Sequence, residues 1–329
     1  MRGAWTGRGT AAVIGAIGLA VSATSCSGGD DPPPSGELTV LSYNVAGLPQ
    51  ELSDVNPEEH LPLISPLLNA YDMVLTQEDF DYWRPLLDGF DFVHYHERLR
   101  AETSHEYATA QYPGPEATGI DLTVRTELQV GDGLGVLSRF PFADEARVPW
   151  AGCFGGFDVS DQGAGDCLAA KGFAMVRVTL NDGDDGPLTV DVYTLHAEAG
   201  ATDEDQRLQE ADFVQLAEYI ADDSEGHAVI VGGDTNLHTD SDHPDGRGDA
   251  DTVAWEAFLE QSRLTDACAA LDCAEPEAID KIAFRSGNGI SLTATSHDFP
   301  RERFTDDEGV DLSDHPPLVV GFRWEAEGG

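Results

Sequence analysis

Lysine is almost missing from this 329-residue chain, in which Lys171 and Lys281 are the only two. With 18 Lys plus Arg against 61 Asp plus Glu, the formal net charge is −43. Such a surface repels polyanions and lacks the broad basic face that nucleic-acid backbones need. Adaptation to a salty medium, or plain solubility, accounts for the same acidity. Long apolar runs are scarce too. Residues 11–21 form an apolar stretch too short to cross a hydrocarbon core of roughly 30 Å. Arg2 and Arg8 precede it, so residues 1–26 read as an export signal rather than a membrane span. The small residues before Cys26 resemble a bacterial lipoprotein cleavage box, which implies acylation of Cys26 and an outward-facing, membrane-anchored protein. An ordinary secretory signal cut nearby would give a secreted one. Residues 27–36 are polar and proline-rich, as a flexible tether would be.

Cysteine is sparse, with five in all. With Cys26 set aside, Cys153, Cys167, Cys268 and Cys273 remain, without the CxxC pairs usual in structural zinc sites. In an oxidising compartment an even set reads as two disulfides. Of the three connectivities, the local one is expected: Cys153 with Cys167, and Cys268 with Cys273.

No internal repeat and no second composition shift appear after the tether, so residues 37–329 are expected to form one α/β domain. Apolar stretches bounded by Gly, Asp or Pro predict strands over 38–43, 73–76, 134–138, 173–180, 188–195, 228–231, 281–285, 290–293 and 318–324. Helical spacing predicts helices over 58–68, 203–221 and 252–261, the second with Thr202 as N-cap and acids in its first turn. Asn181 to Gly186 reads as a hairpin turn.

Short polar clusters sit where these strands end. Asn44, Glu78, His196, and Asp234 with Asn236 follow strands; Asp280, and Asp314 with His315, precede them. If all converge on one rim, the strands after Asp280 and after His315 run antiparallel to the others, which requires mixed sheets. Taken singly, each cluster is an ordinary cap, turn or loop. Together they suit phosphodiester hydrolysis, which needs an aimed water, a base and positive charge for the phosphate oxygens. Glu78 is a hard oxygen ligand suited to Mg²⁺, with Asn44 in support. Asn236 can donate its amide to a phosphate oxygen, and a protonated His196 would add a charged donor. The base is either His315, oriented by Asp280, or Asp234 holding the water. Asp314 is expected to face the metal or a second cation.

In order, Asn, Glu, His, Asp-x-Asn, Asp and Asp-His resemble the endonuclease/exonuclease/phosphatase superfamily over about residues 38–323. Gly133 to Pro141 is similar to its central strand, whereas Leu195 and Ala197 depart from its usual neighbours of the catalytic histidine. The resemblance implies a four-layer α/β sandwich with two packed mixed β-sheets flanked by helices. It also implies a monomeric phosphodiesterase using in-line water attack and Mg²⁺, or another divalent cation such as Mn²⁺ or Co²⁺. Glu78, Asn44 and Asp314 would serve the metal; His196, Asp234, Asn236, Asp280 and His315 would serve catalysis.

Two segments are similar to bacterial sphingomyelinases: Gln77 to Phe80, and Trp150 to Cys153 continued by Cys167 to Phe173. They imply a phospholipid substrate, with Tyr82, Trp83 or Trp150 available to a choline cation. No segment reads as an exposed aromatic hairpin of the kind that enters bilayers. A secreted nuclease is the alternative, yet its cations would be only Arg98 with Arg100 and Arg301 with Arg303. A phosphatase for inositol phosphates or other small phosphoesters is a third reading. A non-catalytic surface protein on the same fold would be expected to lack Glu78, Asp314 or His315. The acid-rich run His238, Asp240, Asp242, His243 and Asp245 is expected to be a solvated loop rather than an extra metal site.

Overall fold

The computed structural model describes residues 33–50, 52–53, 55–80, 95–110, 120–183, 186–240 and 249–327. The export signal with Cys26, and Tyr82, Trp83, Asp242, His243 and Asp245, lie outside the described residues. In chain order the elements are β1 (Ser35–Asn44), α1 (Pro57–Leu67), β2 (Met73–Gln77), α2 (Tyr95–Arg100), β3 (Tyr107–Ala108) and β4 (Gly135–Ser138). Next come β5 (Phe142–Pro149), β6 (Gly172–Gly183), β7 (Gly186–His196), α3 (Asp203–Asp223), β8 (Ala228–Asp234) and α4 (Ala250–Ser262). The chain closes with β9 (Thr265–Asp266), α5 (Ala267–Leu271), β10 (Asp280–Arg285), β11 (Ile290–Asp298) and β12 (Leu318–Ala326). Because β1 begins at Ser35, the last residues of the expected tether already belong to a sheet.

Two six-stranded sheets result, ordered β11-β12-β1-β2-β4-β3 and β5-β6-β7-β8-β10-β9. Within them β1 runs parallel to β2 and β7 parallel to β8, while β12 opposes β1 and β10 opposes β8. This is the mixed arrangement that convergence on one rim demanded. Each sheet buries both faces, which explains why its central strands read as nearly continuous apolar runs. In β1, Leu38 and Val40 enter the core between the sheets, whereas Leu41 and Tyr43 meet Leu61 and Ile64 of α1 and Leu99 of α2. In β8, Ala228 and Ile230 face inward, while Val229 and Val231 meet Phe213 and Leu216 of α3 and Phe258 of α4. Helix, sheet, sheet, helix is therefore the layer order. Each fully buried aliphatic side chain here contributes roughly 1.5–3 kcal/mol.

The departures from expectation have physical causes. Strand β5 lies on a sheet edge with Asp144 and Glu145 exposed, Arg147 drawn into ion pairs with Asp132 and Glu145, and a register shift between Ala143 and Ala146, so it shows no apolar alternation. Helices α2 and α5 are too short to give a period. Trp150 is only 3% exposed and packs on Phe173, with its indole N–H donating to the His196 carbonyl at 2.8 Å. It is a core residue and offers no ring face to a choline cation. Helix α3 opens with the expected cap, strengthened into a reciprocal box. Asp205 N donates to Thr202 Oγ1 at 3.2 Å and Thr202 N donates to Asp205 Oδ2 at 2.7 Å. No helix among the described residues is long and apolar enough to cross a membrane.

Both local disulfides are formed, Cys153–Cys167 and Cys268–Cys273. The first closes a loop with a sequence separation of 14 residues. Chain-entropy arguments assign such a closure about 3 kcal/mol. A Cys153→Ser/Cys167→Ser double variant is expected to lose about that much stability in urea denaturation; no change in midpoint would contradict it.

Candidate active site

The ends of β1, β2, β7 and β8, the start of β10 and the approach to β12 share one rim, and within each sheet the register brings polar ends side by side. Asn44 pairs with Gln77 across β1 and β2, while His196 and Asp280 both pair with Asp234 across β7, β8 and β10. The two glycines before Asp234 allow this approach. A Cβ on Gly233 would lie 2.1 Å from the Leu195 carbonyl oxygen. Glu78 and Asn236, just past their strands, take left-handed backbone at φ 52° and 50°. Such strain of about 1–3 kcal/mol persists only where neighbours over-determine the backbone. Around Glu78 they do: Gly47 N donates to its carbonyl at 3.1 Å, and Asp79 N donates to the Gly133 carbonyl at 2.9 Å.

Asn44 is the hub. Its Nδ2 donates at 3.0 Å both to Glu78 Oε1 and to Asp234 Oδ2, joining the two sheets, while its Oδ1 accepts from Ala46 N. Below it, Gln77 Nε2 donates to Thr194 Oγ1 at 2.9 Å, a second polar tie between the sheets. On the other flank His315 Nδ1 lies 2.8 Å from Asp280 Oδ2, and His315 Nε2 lies 3.6 Å from Asp234 Oδ2. Ser313 fixes this segment by donating to the Asn44 carbonyl at 2.7 Å and accepting from His315 N at 3.2 Å. Asn236 N donates to Asp234 Oδ1 at 3.0 Å, and its Nδ2 donates one proton to the Ala197 carbonyl at 3.1 Å.

The charges are strongly coupled. Burial alone would lower the His315 imidazolium, but the carboxylates of Asp280 and Asp234 hold it well above its usual range. Burial, reinforced by the Lys171 charge, drives His196 well below its usual range. His196 is therefore neutral, not the charged donor its sequence position suggested, and its Nε2 sits 3.4 Å from Asp234 Oδ2. Burial raises the Asp234 carboxyl, yet the charges of His315 and Lys171 and the Asn44 amide bring it below its ordinary value. Glu78 is raised because burial outweighs the Asn44 hydrogen bond and the Lys171 charge.

Lys171 is the residue beside this site that sequence reasoning passed over, quoted only as part of a similar segment. It is buried beside His196, pairs with Asp166 and lies 3.4 Å from the Ala197 carbonyl. Its rarity, one of two lysines and placed at the start of an apolar strand, was the available signal. Behind it stand Asp212, raised well above the ordinary range, and Glu198, pushed up to about 10, both chiefly by burial.

All the residues expected at the site lie at this rim, but not in equal roles. Asn44 offers its nitrogen to the two carboxylates and so orients them. Asp314 is exposed, with Ser313 Oγ 3.4 Å from its Oδ1, and its charge helps to raise the Glu78 carboxyl. Among the described residues a grouping at this rim with metal-ligating spacing is Asp234, Asp280 and His315, whose ligand atoms lie within 4.8 Å of one another. Three of the four arginines noted for backbone phosphates are engaged inside the protein, Arg98 with Glu58, Arg100 with Asp79 and Arg301 with Glu275; Arg303 lies over the Tyr71 ring.

Residues 41–315 match the model of the Endonuclease/Exonuclease/phosphatase family. A sphingomyelinase of Mycobacterium bovis and one of Mycobacterium tuberculosis are 33% identical over 309 residues, covering 89% of this chain and 54% of theirs. The chain thus spans about half the length of the curated relatives it matches. Among solved structures, sphingomyelinase C from Streptomyces griseocarneus superposes with TM-score 0.56 at 18% identity, over 87% of this chain and 99% of that one. A mutant beta toxin from Staphylococcus aureus with bound magnesium ions gives TM-score 0.56 at 15% identity, again over 87% and 99%.

The charge coupling makes a signed prediction. Stability drawn from the raised His315 is complete below about 6.5, the free-histidine value, and is lost as pH rises through the higher folded value. Asp280→Asn removes the nearest carboxylate, so the His315 ring resonance should titrate at distinctly lower pH than in the wild type. An unchanged NMR midpoint would mean that Asp280 does not hold the charge.

Proposed function

Because the chain belongs to the endonuclease/exonuclease/phosphatase family, we propose that it is a divalent-metal-dependent phosphodiesterase that hydrolyses phospholipid in the manner of a sphingomyelinase. The observation that carries the reaction is the junction of Glu78 and Asp234 through one amide, beside the His315–Asp280 pair. The likeness to mycobacterial sphingomyelinases supports the phospholipid.

Glu78 fits a hard cation. Its carboxylate is desolvated, and a single side-chain amide, that of Asn44, bonds it, so a divalent ion would restore what burial removes. Glu78 would hold Mg²⁺ with water completing the shell, and Mn²⁺ or Co²⁺ could replace it; Asp314 would add negative charge nearby. Bound there, the ion supplies Lewis-acid polarisation of a phosphate oxygen.

The chain's own groups divide the proton work. Asp234, ionised and hydrogen-bonded on both oxygens, orients the attacking water and accepts its proton. His315, charged in the resting protein and aligned by Asp280, gives its Nε2 proton to the leaving alkoxide. Asn236 Nδ2 has a second proton to donate to a phosphate oxygen. Neutral His196 donates as well, and a phosphate beside it favours its charged form. Acylated Cys26 and the residues after it would keep the domain at a lipid surface. The nuclease reading has little support, since its cations already have acidic or aromatic partners.

Purified protein with Mg²⁺ should release phosphocholine from sphingomyelin vesicles and leave plasmid DNA intact, and EDTA should stop the reaction. Glu78→Ala and His315→Ala should each lower kcat/KM by about 10³. Nicked plasmid with untouched vesicles would replace this reading by a nuclease, and full activity in both variants would end the enzyme reading altogether.

A further inference from the structure

A cavity of about 340 Å³ opens beside the polar rim and is built from a different kind of residue. One wall is Leu48, Pro49 and Leu52, from the loop that leaves β1, and Leu52 stands 51% exposed. The floor is Phe80, Val130 and Ala169, a small buried apolar cluster separate from the three large ones, and Leu168 joins it. Glu78, Lys171 and His196 form one end of the same cavity. Apolar space of this size, meeting groups that handle phosphate, is the form of a site for a molecule with both characters.

We propose that this cavity is the subsite for the first carbons of the lipid chain that follows the phosphate. The proposal rests on the phosphodiesterase reading above and adds which part of the substrate lies where. A choline headgroup is the poorer occupant. Among the described lining residues the rings are Phe80 and the His196 imidazole, which form no cage around a cation, and the Lys171 ammonium shares the polar end with the carboxylates of Glu78 and Asp166. An alkyl chain asks for nothing but burial, and Leu48, Leu52, Val130 and Leu168 supply it. Leu52 at the mouth is then a specificity residue. Half exposed, it is covered when a chain enters.

Binding tests this without relying on turnover. Ethyl, butyl, hexyl and octyl phosphate, and phosphocholine, are titrated calorimetrically into wild-type protein and into Leu52→Asp and Leu48→Ala. Each methylene buried should tighten Kd by about fourfold until the cavity is full. Both variants should flatten that slope, and phosphocholine should bind no better than ethyl phosphate. A flat series in the wild type, phosphocholine binding as tightly as octyl phosphate, or an unaltered slope in both variants would each overturn the proposal. A steep series from a protein that hydrolyses no phosphodiester would leave the subsite standing and refute the function assigned above.

Discussion

Asn44 sits at the end of a strand in one sheet and donates from a single nitrogen to carboxylates that belong to both. Two carboxylates facing one small volume repel each other by several kcal/mol when poorly screened, and among the described residues no strand pairing joins one sheet to the other to hold them there. The amide supplies a proton to each and fixes their separation. Around that point the other groups fall into sequence: Ser313 ties the His315 segment to the Asn44 carbonyl, and Asp280 turns the His315 ring toward Asp234. Loss of this one amide would leave two desolvated acids and no polar bond between Glu78 and the second sheet.

Much of this arrangement was legible in the sequence because it depends on strands. Apolar runs buried on two faces marked the central strands, and the polar residue just past each run marked the rim. Opposite strand directions followed from which clusters come before a strand and which after. The disulfides were legible for a similar reason, since short separations leave little freedom. What stayed hidden depends on residues far apart in sequence. The ties from Gln77 to Thr194 and from Asn44 to Asp234 span 117 and 190 positions. The neutral state of His196 follows from burial and from Lys171, neither visible in a linear reading. Strand β5 escaped notice because an edge strand with charged, exposed positions has no periodic signature.

Charge is handled differently inside and out. The surface is acidic and solvated, so repulsion there is weak. Behind the rim, Asp166, Glu198 and Asp212 crowd around Lys171, and the protein tolerates them by keeping protons on the two that burial raises most. The same low-dielectric setting that makes this cluster costly also strengthens any interaction with a phosphate placed next to Lys171 and His196.

The first sheet is assembled from both ends of the chain: β1 to β4 open it, and β11 and β12 complete it, while β5 to β10 make the second sheet. Folding therefore cannot proceed from one end to the other. Until the chain between β1 and β12 has been made, β1 has an unpaired edge and the rim has no His315, so a nascent or truncated polypeptide carries no complete site. The step that joins β12 to β1 closes the sheet and delivers His315, making completion of the rim a late event in folding.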